Sequence, residues 1–106
     1  MNEAEFEKLA EAALAEIEAA LEASALDPDL ELKEGGILEV TFESGAKLII
    51  NRHRAAREIW VAAPSGGFHF KWLDGAWRDT RNGTELFQAL SALASEHGGK
   101  AVKLRA

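Results

Sequence analysis

Carboxylates are the residues here with the most chemistry to offer. Eleven of them stand between Glu3 and Glu34, with only Lys8 and Lys33 interspersed, so that stretch carries a formal charge of −9. The remainder holds ten bases and seven acids, a charge of +3, and together they give the −6 of the whole chain. Clustered carboxylates attract hard, oxygen-preferring cations and basic protein surfaces. Open, monodentate groups on a convex surface provide no closed coordination shell. The expected binding is therefore weak, loosely selective and spread over several ions.

Other chemistries find little support. With no cysteine there is no disulfide, thiolate metal site or thiol nucleophile. His53, His69 and His97 lack a ligand spacing such as H-x-x-x-H. Ser44, Ser65, Ser91 and Ser95 stand in no nucleophile motif. Gly35-Gly36 and Gly66-Gly67 read as turns rather than phosphate loops. No catalytic constellation emerges. The acidic balance disfavours nucleic acid and anionic lipid. No apolar run approaches the length of a membrane span, and the acidic N-terminus is unlike a secretory leader.

The elements that position the carboxylates are legible from periodicity. Asn2 and Glu5 form a capping pair for a helix beginning near Glu3. On its wheel Glu7, Glu11, Glu18 and Glu22 fall within roughly 60° of one another. Phe6, Leu9, Ala10, Ala13, Ile17 and Leu21 take the adjoining face. Acids four apart repel, so the apolar stripe must supply the stability. The helix frays near Ser24 and ends by Asp27-Pro28. Asp29 to Leu32 alternates as a short strand whose acids, Asp29 and Glu31, extend the stripe.

Further strands are predicted over Ile37–Glu43, Lys47–Arg52, Glu58–Ala62 and Phe68–Trp72, with a short one over Ala76–Asp79. A second helix is predicted from about Thr84 to His97, stopped by Gly98-Gly99. The 106 residues make one domain. Its fold class is α+β, a two-layer α/β sandwich with two helices on one face of a five- to six-stranded antiparallel sheet. The other sheet face is left open. If Ile59 and Val61 point to the core, Trp60 points to solvent, beside Asn51 and nearby arginines, as an interface anchor. Trp72 and Trp77 read as core, and the tail from Lys100 either docks or frays.

The segments NEAEFEKLA, GGILEVTFESGAKLIINR and IWVAAPSGGFHF, followed by a tryptophan and a short acidic-glycine turn, resemble the bacterial frataxin family over nearly the whole chain. That resemblance implies the same sandwich fold and weak ferrous and ferric iron binding on an acidic ridge. By position the ridge is Glu3, Glu7, Glu11, Glu18, Glu22, Asp27, Asp29 and Glu31. It further implies a cytoplasmic, non-enzymatic role in iron–sulfur cluster assembly, regulating cluster formation or delivering iron. The partners implied are the cysteine desulfurase and the cluster scaffold, met through Glu11, Glu18, Glu22, Asn51 and Trp60. The implied state is a monomer that iron can bridge into oligomers. The family commonly has glutamine where His53 and Glu58 stand, proline at Ala55, and further acids near Ala19 and Ala23. The thinner C-terminal half of the helix lowers the iron capacity expected of the ridge more than its docking, and His53 adds a donor suited to softer metals.

Two other functions fit the same residues. A ferroxidase or iron-storage protein would oxidise ferrous iron at clustered carboxylates. A di-iron centre, however, places carboxylates and histidine inside a helical bundle, and no E-x-x-H occurs on the acidic helix. An acidic adaptor would bind protein and take up cations only incidentally.

Overall fold

Asn2 opens the first helix as expected from its spacing to Glu5. In a computed structural model that describes residues 1–105, its Oδ1 accepts the Glu5 amide at 2.8 Å and its Nδ2 donates to Glu5 Oε1 at 3.0 Å. The cap satisfies one of the free N–H groups at the start of α1 (Glu3–Glu22). Glu3 and Glu5 in the first turn suit the positive end of the helix dipole, whereas no base offsets the negative end. Phe6, Ala10, Ala13, Leu14, Ile17 and Leu21 form the buried stripe.

The chain then meanders. Strands β1 (Asp29–Lys33), β2 (Ile37–Thr41), β3 (Lys47–His53), β4 (Glu58–Ala63), β5 (Gly66–Leu73) and β6 (Ala76–Asp79) lie side by side in chain order. Every neighbouring pair is antiparallel. Period-two alternation turns Leu38, Val40, Leu48, Ile50, Val61 and Phe70 to one face, where they are buried. Phe6 of α1 meets Trp77 of β6 edge-on, with ring centroids 6.0 Å apart. Trp77 is core as expected, while Trp72 packs against the core only partly buried.

The second helix, α2 (Leu86–Gly98), starts later than its periodicity suggests. The Thr84 N–H donates to Asn82 Oδ1 and the Thr84 carbonyl accepts the Asp79 N–H, which ties Thr84 into the preceding turn. Glu85 is the cap instead, its carboxylate accepting the Phe87 and Gln88 amides at 2.8 and 3.0 Å. Gly98 remains helical, packed so tightly on Leu26 that an added Cβ would lie 2.7 Å from Leu26 Cδ2. Gly99, at φ 82°, is the stop.

The tail docks. Ser95 Oγ accepts the Val102 N–H at 2.9 Å and Ser91 Oγ accepts the Leu104 N–H at 2.8 Å. Two serines four apart on α2 therefore clasp alternate residues of the tail, and Leu104 is buried. Ser44 and Ser65 are structural as well. Ser44 Oγ donates to the His97 carbonyl at 2.7 Å, and Ser65 Oγ lies 3.0 Å from His97 Nε2. These contacts tie the end of α2 to the β2–β3 and β4–β5 turns. None of the described helices is long and apolar enough to cross a membrane.

Candidate functional site: an acidic ridge and a tryptophan platform

The ridge acids are not equivalent. Glu7 is neutralised by two guanidinium groups, Arg52 Nη1 at 3.1 Å and Arg54 Nε at 3.0 Å, and Arg54 also approaches Glu3 at 3.6 Å. The hydrogen bond and charge of Glu7 raise the Arg54 pKa above its already high ordinary value. Arg52 reaches α1 because its alternation with Leu48 and Ile50 aims it toward the helix side of the sheet. Gly36 opens its path: it takes φ 74°, and a Cβ there would collide with Arg52 Nε. A wholly unneutralised stripe, as the sequence suggests, is therefore corrected at its N-terminal end.

The other acids stand differently. Among the described residues, Glu11, Glu18, Glu22, Asp27, Asp29 and Glu31 have no ion-pair partner within 4.0 Å. Glu11 and Glu18 line an open cleft of about 380 Å³ between α1, the end of β1 with the turn after it, and Arg52 of β3; Leu32 and Lys33 share it. Glu22 is exposed in the last turn, and Asp27, at φ 43°, occupies the turn before Pro28. Asp29 and Glu31 are separated from these. Leu30 pairs with buried Val40, so its neighbours Asp29 and Glu31 belong to the open face of the sheet, where Glu31 is opposite Glu39.

No three acidic or histidine side chains among the described residues converge into a metal cage. Carboxylate oxygens are hard donors suited to iron, yet each ion on this ridge would meet one or two of them and keep water on its other positions.

Glu39 anchors the open face at the β1–β3 side, with Lys33 Nζ at 2.8 Å and Lys47 Nζ at 2.9 Å. The hydrogen bonds from Lys33 and then Lys47 lower its pKa from 4.5 to about 2. A depressed carboxylate contributes stability that is present above its unfolded pKa and is lost as pH falls through the folded value. The stability difference between wild type and Glu39→Gln should therefore be constant near neutrality. It should shrink between pH 4.5 and about 2, as read by urea denaturation. Added salt should shrink it too, because both lysines are solvent-accessible.

The platform lies in the middle of the open face. Asn51, Trp60 and His69 are directly opposite one another on β3, β4 and β5. The Trp60 indole is stacked between two imidazoles, with His53 at a centroid distance of 3.8 Å and 10° and His69 at 4.4 Å and 7°. Its Nε1 donates to Glu58 Oε1 at 2.7 Å. Glu58 is buried although it is on the open face, and it also approaches His69 Nδ1 at 3.5 Å and Lys71 Nζ at 3.8 Å. Trp60 thus faces outward as expected but is half-buried by its neighbours.

The sequence shows His53 and His69 only as histidines without ligand spacing, and the stack is not evident from it. The signal was the register, which sets His69 directly across from Trp60. His53 is also poorly arranged for metal: its Nδ1 accepts the Ala56 N–H at 3.2 Å, which leaves the proton of the neutral ring on Nε2.

Comparison with known proteins fits this arrangement. The frataxin-like domain family matches residues 1–100. A relative from Dechloromonas aromatica (strain RCB), named iron-sulfur cluster assembly protein CyaY, is 55% identical over 105 residues, covering 99% of this chain and 100% of its own length. The structure of frataxin from Psychromonas ingrahamii, of the CyaY protein family, superposes with a TM-score of 0.89 at 34% identity, with full coverage of both chains. Trimeric frataxin from the yeast Saccharomyces cerevisiae, complexed with ferrous iron, gives a TM-score of 0.67 at 29% identity over 94% of this chain and 88% of that one. In sequence and in fold, this chain belongs to the frataxin-like family.

Proposed function

We propose that this chain is an iron-binding protein of iron–sulfur cluster assembly. It holds ferrous and ferric iron weakly on the ridge, docks on the cysteine desulfurase and the cluster scaffold, and regulates cluster formation or delivers iron to it. It acts in the cytoplasm and by binding rather than by transforming a substrate. The name of the Dechloromonas aromatica relative and the ferrous complex of the yeast protein support this reading. The observation that carries it is a set of carboxylates that have no ion-pair partner among the described residues, Glu11, Glu18, Glu22 and Asp27, on a helix edge and the turn after it. Such a field attracts both small cations and a basic protein surface. Asn51 and Trp60 supply the second contact, on the sheet. Open carboxylates without a converging imidazole favour binding over ferroxidase chemistry.

An anaerobic titration with ferrous iron, followed by amide NMR, tests this. Perturbations are expected along Glu11–Glu31, absent with the same concentration of magnesium, and reduced once desulfurase occupies the ridge. Iron that leaves every α1 and β1 amide untouched, or acts no differently from magnesium, would refute the assignment.

A further inference from the structure

The platform constrains how a partner can use Trp60. Both faces of its indole are covered by imidazole rings, and its one donor is engaged by Glu58. A partner therefore has no free ring face to stack on and no free N–H to capture. What remains is the outer edge of the indole. Next to that edge is a shallow, mainly apolar shelf of about 160 Å³, bordered on the open face by Ile49, Ala62 and Gly67, with Asn51 and His69 beside the indole. Ala62 and Gly67 are opposite each other in the ladder, and their lack of bulk keeps the shelf open. Ile49 at its rim is 38% exposed, the only large hydrophobic residue of β3 left so open.

Glu58 is the pivot of this arrangement. It stands two residues before Trp60 on the same face of β4, so its carboxylate meets the indole N–H within one strand. It is 8% exposed, and His69 and Lys71 from the neighbouring strand flank it. A charge-assisted hydrogen bond from a short, buried side chain holds an aromatic ring more firmly than stacking alone.

We propose that Glu58 is a positioning residue that fixes the Trp60 ring for edge-on docking. The matching partner surface inserts an apolar side chain into the shelf beside the indole and offers no hydrogen-bond acceptor to its N–H. This rests on the assignment of Trp60 to partner docking under the proposed function.

The test compares wild type, Glu58→Ala, Glu58→Gln and Trp60→Ala in the full chain. It uses two readouts: solvent exchange of the Trp60 indole proton in the free protein, and affinity for the desulfurase–scaffold pair by calorimetry. In Glu58→Ala the indole proton should exchange about tenfold faster, the factor expected for losing one charged hydrogen bond. Its affinity should fall along with that of Trp60→Ala. Glu58→Gln should restore the affinity and part of the exchange protection, because a neutral amide oxygen still accepts the indole N–H, though less strongly than the carboxylate.

Unchanged exchange in Glu58→Ala would overturn the positioning role. So would an affinity that drops equally in Glu58→Gln, since charge rather than ring placement would then be at work. If Trp60→Ala binds as tightly as wild type, edge-on docking falls together with the docking assignment. That failure is recognisable because the exchange difference in the free protein would persist.

Discussion

Reversing two ridge charges, Glu18→Lys with Glu22→Lys, is expected to weaken desulfurase binding by about 10- to 100-fold at low salt, equivalent to ~1.4–2.7 kcal/mol. Neither residue forms an ion pair with Arg52 or Arg54, whose guanidinium groups are committed to Glu7 and Glu3, although Arg52 borders the same cleft as Glu18. The change replaces attraction with repulsion at two positions facing a cationic partner. Calorimetry or a surface-binding assay at low and high ionic strength would measure it, and the gap between variant and wild type should close as salt rises. The same variant should fold at least as stably as wild type. The last turn of α1 contains no base, and a lysine there interacts favourably with the negative end of the helix dipole, by about 0.3–1 kcal/mol. Loss of binding without loss of stability separates a docking surface from a structural one. Full affinity in a well-folded variant would remove the ridge from the interface.

The second large effect concerns what holds that ridge in place. Phe6→Ala is expected to cost about 3–5 kcal/mol, a large share of the ~5–15 kcal/mol typical of a domain. Phe6 has no solvent exposure and contacts Trp77 edge-on. Its ring begins the apolar stripe that keeps α1 on the sheet against the mutual repulsion of its acids. Urea denaturation would give the loss, and near-UV circular dichroism would show a changed environment at Trp77. A cost below about 1 kcal/mol would mean that the helix is anchored elsewhere, since exposed sites typically lie within ±0.5 kcal/mol.

Much of this is legible in the amino-acid sequence. The Asn2–Glu5 cap, the burial of Phe6, Ala10, Ala13, Ile17 and Leu21, and the outward direction of Trp60 all follow from local periodicity. The bland majority of the chain, from β2 through β6, was readable because alternation is enforced wherever one sheet face is buried.

What escaped detection depends on residues far apart in sequence. Arg54 is 47 positions from Glu7, and no helical or strand period announces their pairing. The clasp of the tail needs Ser91 and Leu104 to meet across the Gly99 stop, and a serine at a helical position looks the same whether it caps, catalyses or clasps. The imidazole sandwich was a matter of register. Shared faces were known from alternation, but which residues stand directly opposite depends on the lengths of the turns. Glu58 was hidden for a different reason: a carboxylate on an open sheet face reads as solvated, and only its neighbours reveal that it is enclosed.

The unbroken β1-to-β6 strand order bears on how quickly the molecule assembles. Each strand finds its partner through a short hairpin, so no distant segments need to be brought together before the sheet exists. The terminal helices can then settle onto a surface already made. Such a topology favours rapid, single-step folding and leaves little time for unpaired strand edges to find those of other molecules.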